Sequence, residues 1–598
     1  MKLHRIINHA QQYGFKKTLK KAILRLITEK SFYQEEKYYN DRDYVKWIKE
    51  NEPSLIELKE QTKKKFKIMP LISIVVPTYN TPINFLKPMV ESVQKQSYQN
   101  WELCIADGST NPKTINYLKE LVLTDKRIKL ELLESNGGIA VNTNKAIDLA
   151  TGDFVCLLDH DDTLAPFALF EIVSAINANP NADMLYSDED KLSYNGKIRS
   201  HPHFKPDWSP ITIRSYNFVT HLLTLKRSLL NKIGKINSGF EGAQDYDLIL
   251  RASEHAKQIM HIPKILYHWR EHANSTSTNS GSKNYANYST QRAVNLYLKR
   301  KKLPARVIEG PLFASARTIY YLESEPLISI IIPTKNHVDT LRTCISSITN
   351  RSTYQNLEII VVDTGSKEDI VFDYYKSLSD PRIKIINWNR PFNYSAVNNF
   401  AAERCGGEYL IFLNNDTEVI TAGWIEYLLE YCQQKDIGAV GAKLLYPDNT
   451  LQHAGVIIGI GGVAGHSHKH LPENFGGYFG RLSYPINVSA VTAACLMIKR
   501  ELFQKIGGFD ESYPLAFNDV DLCMKITEQN QQIVWTPYAK LYHYESKTRG
   551  YEDTPERQAR FLKEINRFKA KWKKQLQQGD PFYNKNLSLT KEDYSIKK

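Results

Sequence analysis

Three carboxylates within four residues are the first feature of the sequence that predicts chemistry. The segment Asp159-His160-Asp161-Asp162 follows the apolar run FVCLL, so we expect it at the carboxyl end of a buried strand. Carboxylates this close repel one another unless a cation lies between them, and oxygen ligands open to water suit Mg²⁺ or Mn²⁺. We therefore predict that Asp159 and Asp161 bind a metal ion. The structural alternative is a turn that caps the next helix.

Two aspartates that open predicted helices are candidates for a general base. Asp245 lies in GAQDYDLILR and Asp519 in FNDVDLCMK, and each follows a loop that contains Gly-Phe. A carboxylate within hydrogen-bond reach of a hydroxyl can remove its proton during nucleophilic attack. Capping of the helix is the competing role for each aspartate. Their matched positions favour general-base chemistry.

Two histidines follow these aspartates at similar distances. His268 and His543 lie 23 and 24 residues after them. An imidazole there would complete a metal shell, and the arginines that follow, Arg270 and Arg549, would pair with phosphate oxygens. A structural role for each histidine is weighted equally with metal binding.

These candidates occur twice because the sequence repeats itself. LISIVVPTYN begins at Leu71 and LISIIIPTKN begins 256 positions later, at Leu327. The repeat carries five further pairs in the same order, with a slip of one residue at the acidic segment: Asp107 with Asp363, Asn142 with Asn398, Asp161 with Asp416, Asp245 with Asp519, and His268 with His543. Similarity at this fixed spacing predicts two copies of one module.

Each copy opens with a short β-branched run, a proline and a polar turn, then a helical stretch and a second apolar run. This alternation predicts an α/β fold with a mostly parallel, Rossmann-like sheet, in which ligands bind beyond the carboxyl ends of the strands. Asp107 and Asp363 end such strands, where a carboxylate can bind a base or ribose edge or cap a turn. Residues on the neighbouring strand end, Pro77, Tyr79 and Pro333, are predicted to form the pocket wall.

The second copy has a weaker acidic segment, Asn414-Asn415-Asp416. One carboxylate remains there and an amide replaces the other, so metal binding by Asp416 beside a diphosphate would be weaker than in the first copy. We therefore expect activity in the first module and leave activity in the second open.

The module boundaries follow from the repeat and from local composition. We predict a helical, basic region at 1–69, a first module at 70–300, a connector at 301–325, a second module at 326–555, and a basic helix and tail at 556–598. Residues 1–30 are compatible with a basic amphipathic helix on a membrane surface or with a solvated helix packed on the protein itself.

Composition excludes several classes of protein. Hydrophobic residues make up 42% and charged residues 24%, as in ordinary globular domains. The seven scattered cysteines form no CxxC pair, and the chain begins without a secretory h-region, so a cytoplasmic location is expected. The net charge of +13 suggests a polyanionic partner. No nucleic-acid-binding motif accompanies it, so nucleic acid is not expected.

Together these residues resemble the inverting glycosyltransferases of family 2, whose nucleotide-binding module has the GT-A fold. The resemblance covers residues 70–555 and rests on PTYN, the strand end at Asp107, Asn136-Gly137-Gly138, a DxD-like Asp159-His160-Asp161, and Asp245 at the base position. The second half is similar to tandem-module transferases of O-antigen and capsule assembly. A glutamate normally precedes the base in this family, whereas Gln244 and Asn518 stand here.

The resemblance implies a metal-dependent enzyme that moves sugar from a nucleoside-diphosphate donor, with UDP- or dTDP-sugars expected, to a glycan or lipid-linked oligosaccharide at the inner face of a bacterial membrane. It implies bases at Asp245 and Asp519, metal binding by Asp161 and Asp416, and nucleobase binding by Asp107 and Asp363. With the residues predicted from position, the full set of predicted metal ligands is Asp159, Asp161, Asp416, His268 and His543. The full set of predicted donor-binding residues is Pro77, Tyr79, Asp107, Asn142, Asp159, Pro333, Asp363, Asn398, Asn414 and Asn415. The alternative is that one module is degenerate and serves as a glycan-binding or scaffold domain.

Overall fold

Runs of β-branched residues form the central strands of both halves of the chain. The computed structural model describes residues 41–272, 283–545 and 554–598. β1 (Ile72–Thr78) and β12 (Ile328–Thr334) are buried along their whole length. Complete burial is expected for parallel strands that helices cover on both faces.

The first module follows two short helices, α1 (Asp41–Asn51) and α2 (Leu55–Lys63). After β1 it contains, in chain order, α3 (Ile83–Gln94), β2 (Trp101–Asp107), α4 (Pro112–Thr124), β3 (Ile128–Leu132), α5 (Gly138–Leu149), β4 (Phe154–Leu157), β5 (Thr163–Leu164), α6 (Ala168–Ala178), β6 (Met184–Leu192), β7 (Arg199–His203), β8 (Thr224–Lys226), α7 (Arg227–Ile233), α8 (Gln244–His255), β9 (Ile259–Arg270) and α9 (Lys283–Arg300).

A β-hairpin of β10 (Ala305–Glu309) and β11 (Ala316–Tyr320) leads to the second module. After β12 that module contains, in chain order, α10 (Val338–Arg351), β13 (Leu357–Asp363), α11 (Asp369–Ser377), β14 (Ile383–Asn387), α12 (Tyr394–Ala402), β15 (Tyr409–Leu413), β16 (Thr417–Val419), α13 (Trp424–Cys432), β17 (Ile437–Leu445), β18 (Leu451–His453), β19 (Val456–Ile458), β20 (Ala464–His466), β21 (Ile486–Val488), β22 (Cys495–Lys499), α14 (Arg500–Lys505), α15 (Asn518–Glu528) and β23 (Gln532–His543). Two helices follow, α16 (Pro555–Lys571) and α17 (Lys573–Gln578).

The two sheets have the same strand order. The first runs β3-β2-β1-β4-β8-β6-β9-β5, and the second runs β14-β13-β12-β15-β22-β17-β23-β16. In both, the first four strands are parallel, the fifth is antiparallel to its two neighbours, and the last strand is antiparallel to the seventh. The predicted tandem, mostly parallel α/β architecture of GT-A type is confirmed.

The segments outside the two sheets pack on the modules. Tyr44 of α1 donates a hydrogen bond to Asp190 of β6 over 2.5 Å. Beyond α17, Asn584 of the tail donates to Asp188 of β6 over 2.9 Å. Both ends of the described chain are therefore anchored to the first module.

Residues 1–30, for which the sequence leaves open both a membrane-bound helix and a helix packed on the protein, lie outside the described residues, as does Arg549, the candidate phosphate contact. Within the part of the chain that the structure does describe, no helix is both long and apolar enough to cross a bilayer. The seven cysteines are buried and form no disulfide.

A buried carboxylate where the hairpin meets α13 leads to a stability prediction. Burial raises the pKa of Glu430 to about 7, although Arg317 of β11 lies 3.6 Å away and opposes the shift. A pKa raised above the unfolded value of 4.5 means that stability is lost as pH rises from 4.5 through 7, by up to about 3 kcal/mol. Glu430→Gln keeps the neutral form, so we expect it to raise Tm at pH 8 relative to the unmodified protein.

Thermal unfolding at pH 5 and pH 8 checks this expectation. The Tm advantage of the variant should be larger at pH 8, whereas Glu403→Gln at an exposed site should show no such difference. A Tm advantage that does not depend on pH would contradict the assignment of the effect to ionisation of Glu430.

Candidate active site

A cavity of about 770 Å³ opens at the carboxyl ends of the parallel strands in the first module. Six residues predicted from the sequence line it: Pro77, Tyr79, Asn142, Asp159, Asp161 and Asp245. They come from β1, α5, the loop after β4 and the start of α8, so the fold brings together segments up to 168 positions apart. The size is suited to a small-molecule ligand.

Asp107 lies at the end of β2, directly beside β1. It pairs in register with Thr78, whose hydroxyl donates to it over 2.7 Å, and Ser109 donates to the same oxygen over 2.5 Å. Its second carboxylate oxygen is buried and has no hydrogen-bond partner among the described residues. A buried acceptor without a partner is costly unless a ligand satisfies it.

The start of α5 is shaped by glycine and asparagine. Gly138 has a left-handed φ of +82°, lines the cavity, and has no atom within 4 Å of the place where a Cβ would stand. Asn142 is buried and donates to Asn136 over 3.0 Å, which fixes the loop before the helix. The first turn of α5 therefore opens into the cavity, and a helix N-terminus favours a bound anion.

The acidic segment after β4 forms the polar wall of the cavity. Asp159 is half-exposed, with its carboxylate 3.8 Å from the Nε2 atom of His221. Asp161 lies 2.5 Å from the Nε2 atom of His272. Burial would raise the pKa of Asp161, but the hydrogen bond with His272 and the charges of His160 and His272 outweigh burial and leave the pKa below its ordinary value. Asp161 is therefore ionised at neutral pH.

Asp162 differs from its two neighbours because protein groups occupy both of its oxygens. It accepts hydrogen bonds from the Tyr267 hydroxyl over 2.5 Å and from the Arg270 backbone N–H over 2.7 Å. Burial and the charges of Asp161 and Asp159 raise the pKa of Asp162 well above its ordinary value. Asp162 holds the acidic loop on β9 rather than facing the cavity.

The side chains of the acidic segment and the histidines beside it include ligands that suit a divalent cation. Ligand atoms of Asp159, Asp162 and His221 lie within 4.8 Å of one another. Protein groups occupy both oxygens of Asp162, so Asp159 and Asp161 are the carboxylates of the acidic segment that line the cavity, with His221 and His272 beside them. Carboxylate oxygens with room for water and phosphate suit Mg²⁺ or Mn²⁺.

His268, the histidine predicted to complete this shell, contacts a different carboxylate. Its Nδ1 atom lies 2.6 Å from Asp190 on the neighbouring strand β6, and its side chain is buried there. His272, four residues later and beyond the end of β9, takes the position on Asp161. Sequence reasoning missed His221 altogether, since VTHLL contains no motif that distinguishes it.

Asp245 lies in the first turn of α8, on the same cavity. Asn217 donates to its Oδ2 atom over 3.0 Å. Burial raises the pKa of Asp245, while the charge of His221 opposes the shift. A carboxylate with a raised pKa accepts a proton more readily than an exposed aspartate does.

The corresponding place in the second module contains a tyrosine side chain. Tyr394 opens α12 as Gly138 opens α5, and its hydroxyl donates to the Ala493 carbonyl over 3.1 Å. The same hydroxyl lies 3.5 Å from Asn414 of the acidic segment. Burial and the charges of Asp519 and Asp416 raise the pKa of Tyr394. The phenol therefore lies between the groups that would flank a donor sugar.

Other predicted residues of the second module have partners within the protein. Asp519 accepts from the backbone N–H groups of Ala493 and Val520, and Asp416 lies 3.1 Å from His543. The remaining contacts are those of Asp363 with Gly365, Ser366 and Tyr375, of Asn398 with the Tyr394 carbonyl, and of Asn415 with Thr334. Pro333 lies in β12, in register with Val362.

The acidic loops of the two modules differ in length. Phe154 pairs with the first residue of β1, and Tyr409 pairs with the first residue of β12, so these two positions are equivalent. Thr163 and Thr417 are also equivalent, because Thr163 pairs with His268 and Thr417 pairs with His543. One residue fewer therefore separates the strands in the second module. Asp416 directly precedes β16, as Asp162 directly precedes β5. Asp416 is therefore equivalent to Asp162, and not to Asp161 as the sequence repeat predicted.

Comparison with known proteins now defines the family. The family model described as "Glycosyl transferase family 2" matches residues 73–234 and 329–507, one match in each module. The chain belongs to glycosyl transferase family 2. Both matched segments of this transferase chain include the strand-end aspartate and the acidic loop of their module.

The three relatives named here are longer than this family 2 chain. It is 45% identical to "Uncharacterized protein y4gI" of Sinorhizobium fredii over 88% of this chain and 58% of that protein. It is 37% identical to "O-antigen biosynthesis protein RfbC" of Myxococcus xanthus over 93% of this chain and 43% of that protein. A "Chondroitin synthase" of Pasteurella multocida is 23% identical over 62% of this chain and 41% of its own length. The chain thus spans about half the length of the curated relatives that it matches most fully.

Proposed function

We propose that the first module transfers a sugar from a nucleoside-diphosphate donor to a hydroxyl group of a growing surface polysaccharide, with inversion at the anomeric carbon. The observation that carries this proposal is the single cavity shared by the ionised acidic loop at Asp161 and by Asp245 at the start of α8. The first of these groups would hold the divalent cation that neutralises charge on a leaving diphosphate. Removal of a proton from an attacking hydroxyl needs the second.

The residues in and beside the cavity then have separate roles. Asp107, at the neighbouring strand end, accepts hydrogen bonds from the base or ribose through its oxygen without a protein partner, and the open first turn of α5 faces the diphosphate. Asp159 and Asp161, with His221 and His272 beside them, hold Mg²⁺ or Mn²⁺. When bound, such an ion stabilises the negative charge on the leaving diphosphate.

The proposed reaction is a direct displacement. The acceptor oxygen forms a bond to the anomeric carbon while the bond from that carbon to the diphosphate oxygen breaks. The acceptor proton passes to the carboxylate of Asp245, and the nucleoside diphosphate leaves with the bonding electrons. Asn217 orients the carboxylate by donating to its Oδ2 atom.

The proposed substrates are a UDP- or dTDP-sugar and a glycan or lipid-linked oligosaccharide of O-antigen or capsule type. The relative named for O-antigen biosynthesis and the relative named chondroitin synthase support an acceptor that is part of a polysaccharide. A lipid-linked acceptor would place the enzyme at the inner face of the cytoplasmic membrane.

For the second module we propose a degenerate donor site and a role in holding the glycan or the first module. Tyr394 favours this second function, because its hydroxyl already lies beside Asn414 where a donor would have to enter. The single remaining carboxylate of the acidic segment, Asp416, already pairs with His543.

A donor screen tests the proposal. Full-length protein is incubated with Mn²⁺ or Mg²⁺ and a panel of UDP-, dTDP- and GDP-sugars, and release of nucleoside diphosphate is measured with and without EDTA. We expect Asp161→Ala to reduce release at least about 100-fold, because several kcal/mol of charge stabilisation is lost. Asp416→Ala should leave release nearly unchanged.

Loss of release in Asp416→Ala alone would move the activity to the second module, and comparable partial losses in both variants would mean two active sites. No release from any donor, even with oligosaccharide acceptors present, would favour a binding or scaffold protein. Release that persists in EDTA would contradict metal dependence.

A further inference from the structure

The hairpin between the modules carries an exposed aromatic ring to the first module's cavity. Phe313 lies in the turn between β10 and β11, lines the cavity together with Ala314, and is 41% exposed. The turn is fixed by hydrogen bonds from the Gly310 N–H to the Ser315 carbonyl over 3.0 Å and from the Ser315 hydroxyl to the Leu312 carbonyl over 2.6 Å. The ring is therefore exposed on a constrained turn.

This turn lies on the general-base side of the cavity. Ser315 forms a β-bridge with Tyr216, and the Ala316 N–H donates to the Ser215 carbonyl over 2.8 Å. The next residue, Asn217, donates to Asp245. The turn that carries Phe313 is therefore hydrogen-bonded to the segment that orients the proposed base. Asp107, the proposed nucleotide contact, lies on a different element, at the end of β2.

Helix α9 adds an exposed tyrosine beside the turn. Tyr285 lies in its first turn and is 44% exposed, and the next residue, Ala286, lines the cavity. The Ala314 N–H donates to Asn287 of the same helix over 2.8 Å. Tyr285 also packs on Gly242, in the loop that leads to Asp245, where a Cβ would lie 2.9 Å from its ring. We call Phe313 and Tyr285 the aromatic lip.

We propose that the aromatic lip binds the sugar residues of the acceptor glycan that precede the one receiving the new sugar. This inference rests on the proposed function of the first module. Sugar rings present an apolar C–H face that packs on an aromatic ring, while their hydroxyl groups stay in water. Large exposed rings beside a polar catalytic cavity mark a ligand surface. The lip is joined to the segment that holds Asp245, the proposed base for the acceptor hydroxyl. We therefore assign the lip to the acceptor rather than to the nucleotide.

The second module supports the lip from behind. Tyr484 stacks on Tyr216 with ring centroids 5.5 Å apart, and Leu312 packs so closely on Gly480 that a Cβ there would lie 2.2 Å from its side chain. The second module thus positions the acceptor side of the first module's site even though its own donor position contains Tyr394.

Binding of free tetrasaccharides to full-length protein tests the proposal without any need for catalysis. The probes are chondroitin, chitin and rhamnose tetrasaccharides, titrated by calorimetry at millimolar concentrations with no donor present. We expect at least one to bind the unmodified protein, and we expect Phe313→Ala and Tyr285→Ala each to weaken that binding about tenfold or more. Phe313→Trp should keep it. Phe372→Ala, which removes a ring of similar exposure (40%) on α11, is the matched control and should bind normally.

Kinetics separate this inference from the proposed function. In an active preparation, Phe313→Ala should raise the acceptor KM about tenfold and change the donor KM much less, whereas the control Phe372→Ala should leave both KM values and acceptor-independent donor hydrolysis unchanged. If the unmodified protein hydrolyses no donor, the proposed function fails. The calorimetric titrations still determine whether the aromatic lip binds a glycan. Failure of every tetrasaccharide to bind, equal binding by Phe313→Ala, or loss of donor hydrolysis in that variant would each overturn the acceptor assignment.

Discussion

Asp245→Asn is expected to lower the turnover of sugar transfer by about 10²–10⁴-fold, the range that general-base catalysis contributes. The amide has nearly the same shape as the carboxylate and keeps a partner in Asn217, but it cannot take the acceptor's proton. The KM for the donor should change little, because the donor's predicted contacts are at Asp107, α5 and the acidic loop. The measurement is steady-state transfer to an oligosaccharide acceptor by full-length protein.

Asp519→Asn is the matched control for this variant. The Asp519 carboxylate accepts backbone N–H groups from Ala493 and Val520, so its replacement should affect the local fold more than the rate of transfer. A large loss of kcat in Asp519→Asn, with Asp245→Asn near the unmodified rate, would place the catalytic base in the second module.

The pH profile provides a second readout of the same base. Since burial raises the pKa of Asp245 and only the deprotonated form accepts a proton, kcat/KM should fall as pH drops. The fall should begin at a higher pH than an exposed aspartate would give. This acid limb should be absent from the residual activity of Asp245→Asn. An identical limb in the variant would assign the titration to another group.

Much of the fold was predictable because its signals are local in sequence. Apolar β-branched runs followed by Pro and a polar turn predict strands and their ends, and repetition of that pattern predicts two modules. Asp107 and Asp159 lie at strand ends for the same reason, so their positions follow from chain periodicity alone. The position of the cavity at the carboxyl ends of the parallel strands was therefore predictable from local patterns.

The histidines of the site were not predictable in this way. Which histidine lies on Asp161 depends on where β9 ends and on its register with β5, and the sequence does not specify either. His268 is the histidine that the sequence repeat pairs with His543, but it lies within β9 and contacts Asp190. His272 lies beyond the end of β9 and contacts Asp161 of the acidic segment. His221 reaches Asp159 from a segment with no motif at all.

The connector shows the same limit at a larger scale. The sequence predicts 301–325 as a link between modules, but the hairpin folds back so that Phe313 lines the cavity. Its position depends on contacts with residues 215–216 of one module and with Gly480 of the other. Such packing between distant segments leaves no periodic trace in the sequence.

Gly138→Tyr is expected to abolish donor binding and donor-dependent nucleotide release by the first module. Gly138 faces open cavity at the start of α5, and the second module shows where a tyrosine at the equivalent position lies: its hydroxyl contacts the acidic segment and Ala493. The introduced ring should fill the space of the donor's diphosphate and sugar. Release and calorimetric binding of UDP, dTDP and GDP are the measurements.

Gly138→Ala separates filling of the cavity from backbone strain. A side chain at a φ of +82° costs roughly 1–2 kcal/mol, so the alanine variant should lose some thermal stability and keep most donor binding. Retention of binding in Gly138→Tyr would mean that the donor does not lie against α5. The reciprocal Tyr394→Gly should allow nucleotide to bind the second module if Tyr394 alone closes it. No gain would place the block deeper, at the Asp416–His543 pair and the amides of the acidic segment, because those groups remain unchanged in the variant.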